Sequence, residues 1–387
     1  MFRPAIVIPL LLVLIAGASH IVFGEGLIAR FGTRPAPTLV RSDFSVELSE
    51  RGSIQAISDG SGFFILRSTN VTRFDNSGRQ LWAQPISYTN PTFVRGGSYV
   101  GVSEYRGRTF HVFGPGGLMY AINFENDILS FHVASNGYSA VMTHIGGSYN
   151  ITVFNAAGSS IKLRIIEEGG LFPVSMAISP DGRILAVSYL NTAGAVISSY
   201  ICVYCIEAFD AAAGTDGLFA LFRQLEGEII YKVAFIDDSR LMYSSDREFG
   251  VYGLAPAGRV RHLWSEAFDN HAVFLEAVKN VGIAVAFGPP LISREGFEEG
   301  RFILYSPDGA ELASFMMDGR ITRMSIGPEA VIIGGGPLGR SFAAITYRNR
   351  VAWEYTATSD VLSFVTLDRP QRALLVTPAR MEIMETR

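Results

Sequence analysis

The chain has 387 residues, of which 48% are hydrophobic, 12% aromatic and 18% charged, with 40 glycines and a net charge of −4. That glycine-rich, strand-favouring composition excludes a disordered chain. The small negative charge, without clustered Lys or Arg, excludes nucleic-acid binding through a basic field.

From Pro4 to Gly24 no residue is charged, and residues 5–23 are long enough to cross a bilayer as a helix. Two readings stay open for residues 1–24. One is an uncleaved transmembrane anchor, favoured by the apolar extension through Ile21-Val22-Phe23. The other is a cleaved secretory signal, favoured by the short apolar region and by Ala16-Gly17-Ala18. Arg30, Arg34 and Arg41 follow the apolar run, so basic residues do not favour an inside amino terminus. The export-like character of the segment instead predicts a cell-membrane protein with a single-pass amino-terminal anchor. Its body is expected to be periplasmic or extracellular. Residues 25–42, with Gly26, Gly32, Pro35 and Pro37, read as a short stalk.

Residues 43–387 read as one repeat domain. Turn signals recur at Asn76-Ser77-Gly78, Gly114-Pro115-Gly116-Gly117, Asn155-Ala156-Ala157-Gly158, Pro256-Ala257-Gly258, Pro307-Asp308-Gly309 and Arg348-Asn349. Most successive turns lie about 40 residues apart, the period of a four-stranded propeller blade. Within the units, short β-rich runs alternate with turns, as in Ser175–Ile178, Arg183–Ser188 and Tyr200–Tyr204. That order argues antiparallel hairpins.

The chain then divides into seven complete units, at 53–84, 92–125, 128–168, 174–225, 229–265, 271–316 and 321–355. The carboxy end supplies three more strands within 361–384. A lone strand over 43–48 is expected to pair with them and close the ring. The predicted fold is all-β: a single propeller, eight four-stranded blades with seven as the alternative, preceded by a transmembrane helix.

Three tryptophans sit after short turns. They are Trp82 after Phe74-Asp75-Asn76-Ser77-Gly78, Trp264 after Pro256-Ala257-Gly258, and Trp353 after Arg348-Asn349. A position repeated around a ring is structural before it is functional. All three are therefore expected to fill gaps between blades. The Phe74–Gly78 turn with Leu81-Trp82 resembles the repeats of quinoprotein-like propellers and of the eight-bladed outer-membrane assembly lipoproteins. Ser179-Pro180-Asp181-Gly182 followed by Arg183–Val187 resembles a WD40-like blade opening. The resemblance spans about 53–385 and implies a member of the eight-bladed quinoprotein-like and WD40-like propeller superfamily. The chain lacks the recurrent Gly-His and Trp-Asp pairs of WD40 repeats. It also lacks a lipidation cysteine, so the resemblance implies architecture alone.

Cys202 and Cys205 have redox or metal spacing. In a strand, an offset of three points the two side chains to opposite faces. Packed thiols, a disulfide aided by a bulge, and a metal or redox pair all stay open. His111, His132 and His144 fall in neighbouring units without a common offset and read as ordinary strand or loop residues. Gly334–Gly339 lacks the Lys-Ser/Thr ending of a nucleotide loop. No catalytic, cofactor-binding or metal-binding residue is assigned.

Two long loops project from the rigid units, around 208–217 and over 287–300. Phe297, beside Arg294 and several glutamates, is a candidate aromatic anchor for a partner in the second loop. The leading expectation is a membrane-tethered, non-catalytic scaffold that binds protein or envelope-polymer partners outside the cytoplasm. The alternatives are an exported propeller enzyme, of quinoprotein-dehydrogenase or glycan-cleaving type, and a small-ligand sensory domain.

Overall fold

The computed structural model describes residues 36–48, 54–167, 169–208, 217–255, 259–268, 272–288 and 299–386. Among them, the strands form eight four-stranded antiparallel sheets. The order of strands within every sheet follows the chain, with one exception. The eighth sheet joins Ser363–Thr366, Arg372–Val376 and Arg380–Thr386 to the strand Leu39–Glu47 from the other end. We number the blades 1 to 8 from residue 54 and letter their strands a to d from the channel outward. One face of the ring carries the a–b and c–d turns. The opposite face carries the b–c turns and the d–a crossovers.

The b strands explain the core. Gly62–Leu66 of blade 1 is buried at all five positions, and Ala330–Gly335 of blade 7 at all six. A b strand has a neighbouring blade on each side, so it reads as a continuous apolar run rather than an alternating one. The d strands behave otherwise. Gln80–Pro85 of blade 1 has no buried position, because the blades splay apart at the rim.

The recurring turn has a local cause. In blade 1, Gly78 N–H bonds the Asp75 carbonyl at 3.0 Å and Asp75 N–H bonds the Arg79 carbonyl at 3.0 Å. The Asp75 carboxylate also accepts the Ser77 and Arg79 N–H groups. Blade 3 repeats this with Asn155, Ala157, Gly158 and Ser159. Blade 6 repeats it with Ser306, Asp308, Gly309 and Ala310. Gly78 and Gly309 both take φ of +88°. Only a residue tolerant of the left-handed region fits there. A register shift follows beside the turn, between Arg73 and Phe74 or between Leu304 and Tyr305. The turn is therefore a three-residue hairpin loop with a bulge, whose chemistry spells the sequence repeat.

The strand expected at 43–48 starts earlier. It runs Leu39–Glu47, so residues 39–42 of the predicted stalk are strand. The reason is packing: Leu39 is buried in the cluster that holds Trp353, Phe342 and Phe364 between blades 7 and 8. The predicted anchor at 1–24 and most of the predicted stalk lie outside the described residues. Among the described residues, no helix is long and apolar enough to cross a membrane.

Candidate functional site

The three tryptophans occupy d strands, and each reaches the next blade. Trp82 Nε1–H donates to the Pro115 carbonyl of blade 2 at 2.8 Å. Trp264 Nε1–H donates to the Pro307 carbonyl of blade 6 at 2.9 Å. Trp353 Nε1–H donates to the Pro370 carbonyl of blade 8 at 2.8 Å. The first two acceptors lie in c–d turns. The third lies in an a–b turn, since blade 8 draws its c and d strands from opposite chain ends and has no c–d turn. Two other aromatics hold the same kind of place. Phe44 on the d strand of blade 8 lies against Gly78 in the turn of blade 1, and Tyr120 of blade 2 lies against Gly158 in the turn of blade 3. These five rings each join a blade to its neighbour, at the junctions 1–2, 2–3, 5–6, 7–8 and 8–1.

Cys202 and Cys205 lie on the c strand Ser198–Cys205 of blade 4. They are not joined by a disulfide. Cys202 is buried in the core cluster between blades 3 and 4, and Cys205 sits at the strand end, half-buried. Their opposite facing accounts for the missing bridge, so the disulfide alternative gives way to two thiols. The histidines do not converge. His111 Nδ1 lies 2.6 Å from the Tyr88 hydroxyl, His132 Nδ1 accepts the Ile178 N–H at 3.2 Å, and the His144 ring lies tilted against Tyr149. Burial pushes His132 down to about 4, so the imidazole is neutral at pH 7. Among the described residues, no three His, Cys, Asp or Glu side chains gather as a metal site. Arg294 and Phe297 lie outside the described residues.

Two features lay hidden in the sequence. The first is the channel. The a strands enclose a cavity of about 650 Å³. Its described lining includes Arg95, Lys232, Lys279 and His132, with Glu276 as the one carboxylate. Lys232 Nζ lies 2.7 Å from Glu276 and also donates to the Leu275 carbonyl at 2.8 Å. Arg95 donates to the Ser58 carbonyl of blade 1. Lys279 of blade 6 spans the mouth to Ser135 of blade 3 at 2.9 Å. A second cavity of about 410 Å³ opens beside it, between the a strands of blades 7, 8 and 1. No motif announces these cations, because ring closure brings Arg95, Lys232 and Lys279 together from blades 2, 5 and 6. The available signal was a lone base inside an otherwise apolar inner strand, as in Pro91–Gly96 and Ile230–Phe235.

The second feature is an apolar sector on the b–c face of blades 4 and 5. Phe172 and Val174 stand at the start of the a strand of blade 4, and Val196 and Ile197 in its b–c turn. Ile229 and Tyr231 open the a strand of blade 5. All six are exposed, Val196 at 55%. Hydrogen bonds tie the sector together: Gly227 N–H meets the Ile197 carbonyl at 2.8 Å, and Ile230 N–H meets Ser199 Oγ at 3.3 Å. Phe172 stands edge-on to Tyr149 of blade 3, with ring centres 5.7 Å apart. Beneath the sector, Arg223 packs 4.5 Å over the Tyr243 ring and bonds Glu248, whose carboxylate also accepts the Tyr243 hydroxyl. Arg223 holds φ of +54°, a strained value for a non-glycine residue, at a bulge in the d strand. The half-buried pair braces the joint under the exposed apolar residues.

Residues 40–386 match the model of a protein family described as a family of unknown function (DUF5711). The chain belongs to that family. No curated protein matches it. Among solved structures, the DUF5711 chain is similar to the carboxy-terminal WD40 domain of Sif2, at 11% identity and a TM-score of 0.55 over 91% of this chain and 99% of that one. It is similar to Sqt1 from Chaetomium thermophilum, at 11% identity and a TM-score of 0.54 over 92% and 100%. It is also similar to BamB from Moraxella catarrhalis, at 12% identity and a TM-score of 0.51 over 90% and 98%. At these identities the likeness shows the fold alone: an eight-bladed propeller with WD40-like and BamB-like neighbours.

Proposed function

We propose that this DUF5711 protein is a membrane-tethered, non-catalytic scaffold that docks a protein partner of the cell envelope on the b–c face of blades 4 and 5. The observation that carries the reading is the exposure of Phe172, Val174, Val196, Ile197, Ile229 and Tyr231 on one sector of one face. Clustered exposed apolar side chains lose free energy to water and regain it when a partner covers them. A ring of stacked sheets holds such a surface without bending, which lowers the ordering cost of association. The partner this sector suits is a polypeptide that presents apolar side chains, since no strong charge of either sign dominates those six positions. The uncharged run over 5–23 supports the tether. Its export-like character supports a periplasmic or extracellular body.

Two measurements test the reading. Membrane fractionation of the full chain, against a chain lacking residues 1–24, tests the tether: association is expected only with the segment present, and unchanged fractionation overturns it. A photo-crosslinking residue at position 196 in cells tests the surface. A discrete protein adduct is expected, and Ile197→Asp with Tyr231→Glu should abolish it while leaving the thermal midpoint near that of the wild type. An adduct indifferent to those substitutions, or no adduct, defeats the docking surface.

A further inference from the structure

Within the propeller, the cavity wall is cationic in a way that the fold does not require. Three bases line it against one carboxylate, and Glu276 is already paired with Lys232. Arg95 and Lys279 remain. Both lie at the a–b end, Arg95 at the penultimate position of its a strand and Lys279 just beyond the end of its own. They belong to one neighbourhood. Gly97, two residues after Arg95, abuts Ser135, and Ser135 is the residue to which Lys279 donates.

Of the acids nearby, the Asp59 carboxylate is held by Arg73 at 3.0 Å and Asp237 by Arg240, whereas Asp238 accepts the Asp181 N–H at 2.8 Å and Asp181 accepts the Ser179 hydroxyl at 2.6 Å. Tyr347 also faces Arg95, and burial pushes its ionisation well above the usual phenol range, so it adds no negative charge at neutral pH. Burial holds the Arg95 guanidinium below its ordinary value, with Tyr347 and Asp59 acting in the opposite direction. A guanidinium has five N–H donors. Among the described residues, the hydrogen bond Arg95 makes is to the Ser58 carbonyl. Keeping a partly buried cation with so little compensation is costly unless an anion joins it.

We propose that the a–b end of the channel is a binding site for a small anionic molecule, one bearing a carboxylate or a phosphate, held between Arg95 and Lys279. Arg95 offers a planar fork suited to two oxygens, and Lys279 a point charge at the mouth. His132, neutral with Nδ1 as acceptor, has its N–H on Nε2 and adds a donor to the wall rather than a charge. The cavity of about 650 Å³ lies within the range of small-molecule sites. This site is separate from the apolar sector and does not depend on it.

Isothermal titration of the full chain in detergent tests the proposal, with inorganic phosphate, citrate and glucose as probes at a fixed ionic strength set by sodium chloride. Saturable binding of phosphate alone identifies a phosphate site, and of citrate alone a carboxylate site; either, or both, supports the proposal. Lys279→Gln changes an exposed residue and should leave folding intact while weakening binding at least about tenfold. Arg95→Gln should weaken it further, and Arg301→Gln, on the c strand of blade 6, should not. Binding of glucose alone, absence of any binding, or binding unchanged in Lys279→Gln overturns the proposal.

Discussion

Blade 8 and the other seven blades solve one problem by different means. In blades 1, 3 and 6, a covalent turn joins strands c and d, and its side chain and glycine fix the register before any neighbour is present. In blade 8 the c and d strands come from residues 380–386 and 39–47, so nothing local fixes their pairing. Their register breaks between Arg41 and Ser45, a wider irregularity than the one-residue bulge of blade 1. The strand itself is largely polar and exposed on one face, with Leu39 its only buried residue. The joint instead borrows its apolar contacts from its neighbours. Leu39 enters the Trp353 cluster toward blade 7, and Phe44 packs toward Phe63 and Phe74 of blade 1. Local chemistry builds a blade, whereas only tertiary contacts close the ring.

Removing residues 36–48 gives the largest expected effect. It strips the d strand from blade 8 and exposes the edge of Arg380–Thr386, a template for intermolecular pairing. Loss of a single cooperative urea transition, with aggregation seen by light scattering, is expected. A fully cooperative monomer would show that the seven continuous blades suffice.

The next test compares two tryptophans. Trp353 is fully buried at the joint between blades 7 and 8, whereas Trp82 is only partly buried between two continuous blades. Trp353→Ala should cost about 3–5 kcal/mol by chemical denaturation, and Trp82→Ala about 1–2 kcal/mol. Equal losses would deny the closing joint its special dependence on packing.

The continuous blades should carry an acid sensitivity of their own, through His132 between blades 3 and 4. Its folded value of about 4 lies below the ordinary 6.5, so the unfolded chain binds the proton more readily. This contribution is present above about pH 6.5 and is lost as pH falls toward 4, amounting to at most about 3 kcal/mol. His111 is shifted in the same direction by burial and adds to the trend. His132→Asn keeps an acceptor for the Ile178 N–H and should flatten the dependence of the denaturation midpoint on pH. An unflattened profile would place the sensitivity elsewhere.

The smallest effect returns to the closure. A Cβ at Gly78 would come within 2.1 Å of the Phe44 ring, in a backbone of φ +88°, whereas a Cβ at Gly117 meets nothing within 4 Å. Gly78→Ala should cost about 1–2 kcal/mol and more than Gly117→Ala, because strain and clash add at the first position and strain acts alone at the second. Equal midpoints would separate the turn of blade 1 from the closing strand.

Legibility followed the same division. The turn residues Asp75-Asn76-Ser77-Gly78 and Ser306-Pro307-Asp308-Gly309 were readable because a few adjacent side chains satisfy their own backbone. The start of the closing strand was misjudged by four residues, since Leu39 becomes core only when Trp353 stands beside it. Arg95, Lys232 and Lys279 carried no motif, because their neighbours in space are remote in sequence. The apolar sector of Phe172, Val196 and Tyr231 was hidden for the same reason: an exposed valine reads like a buried one until the blade edges are placed.

The amino-acid sequence alone determined the blade period, the hairpin turns and the apolar inner strands, all of which arise from interactions within a few residues. The tertiary structure decided between eight and seven blades, where the closing strand begins, and which charges face the channel and which apolar groups face water. Those properties depend on burial and on distances between residues up to the full length of the chain apart, and neither quantity exists until the ring is shut.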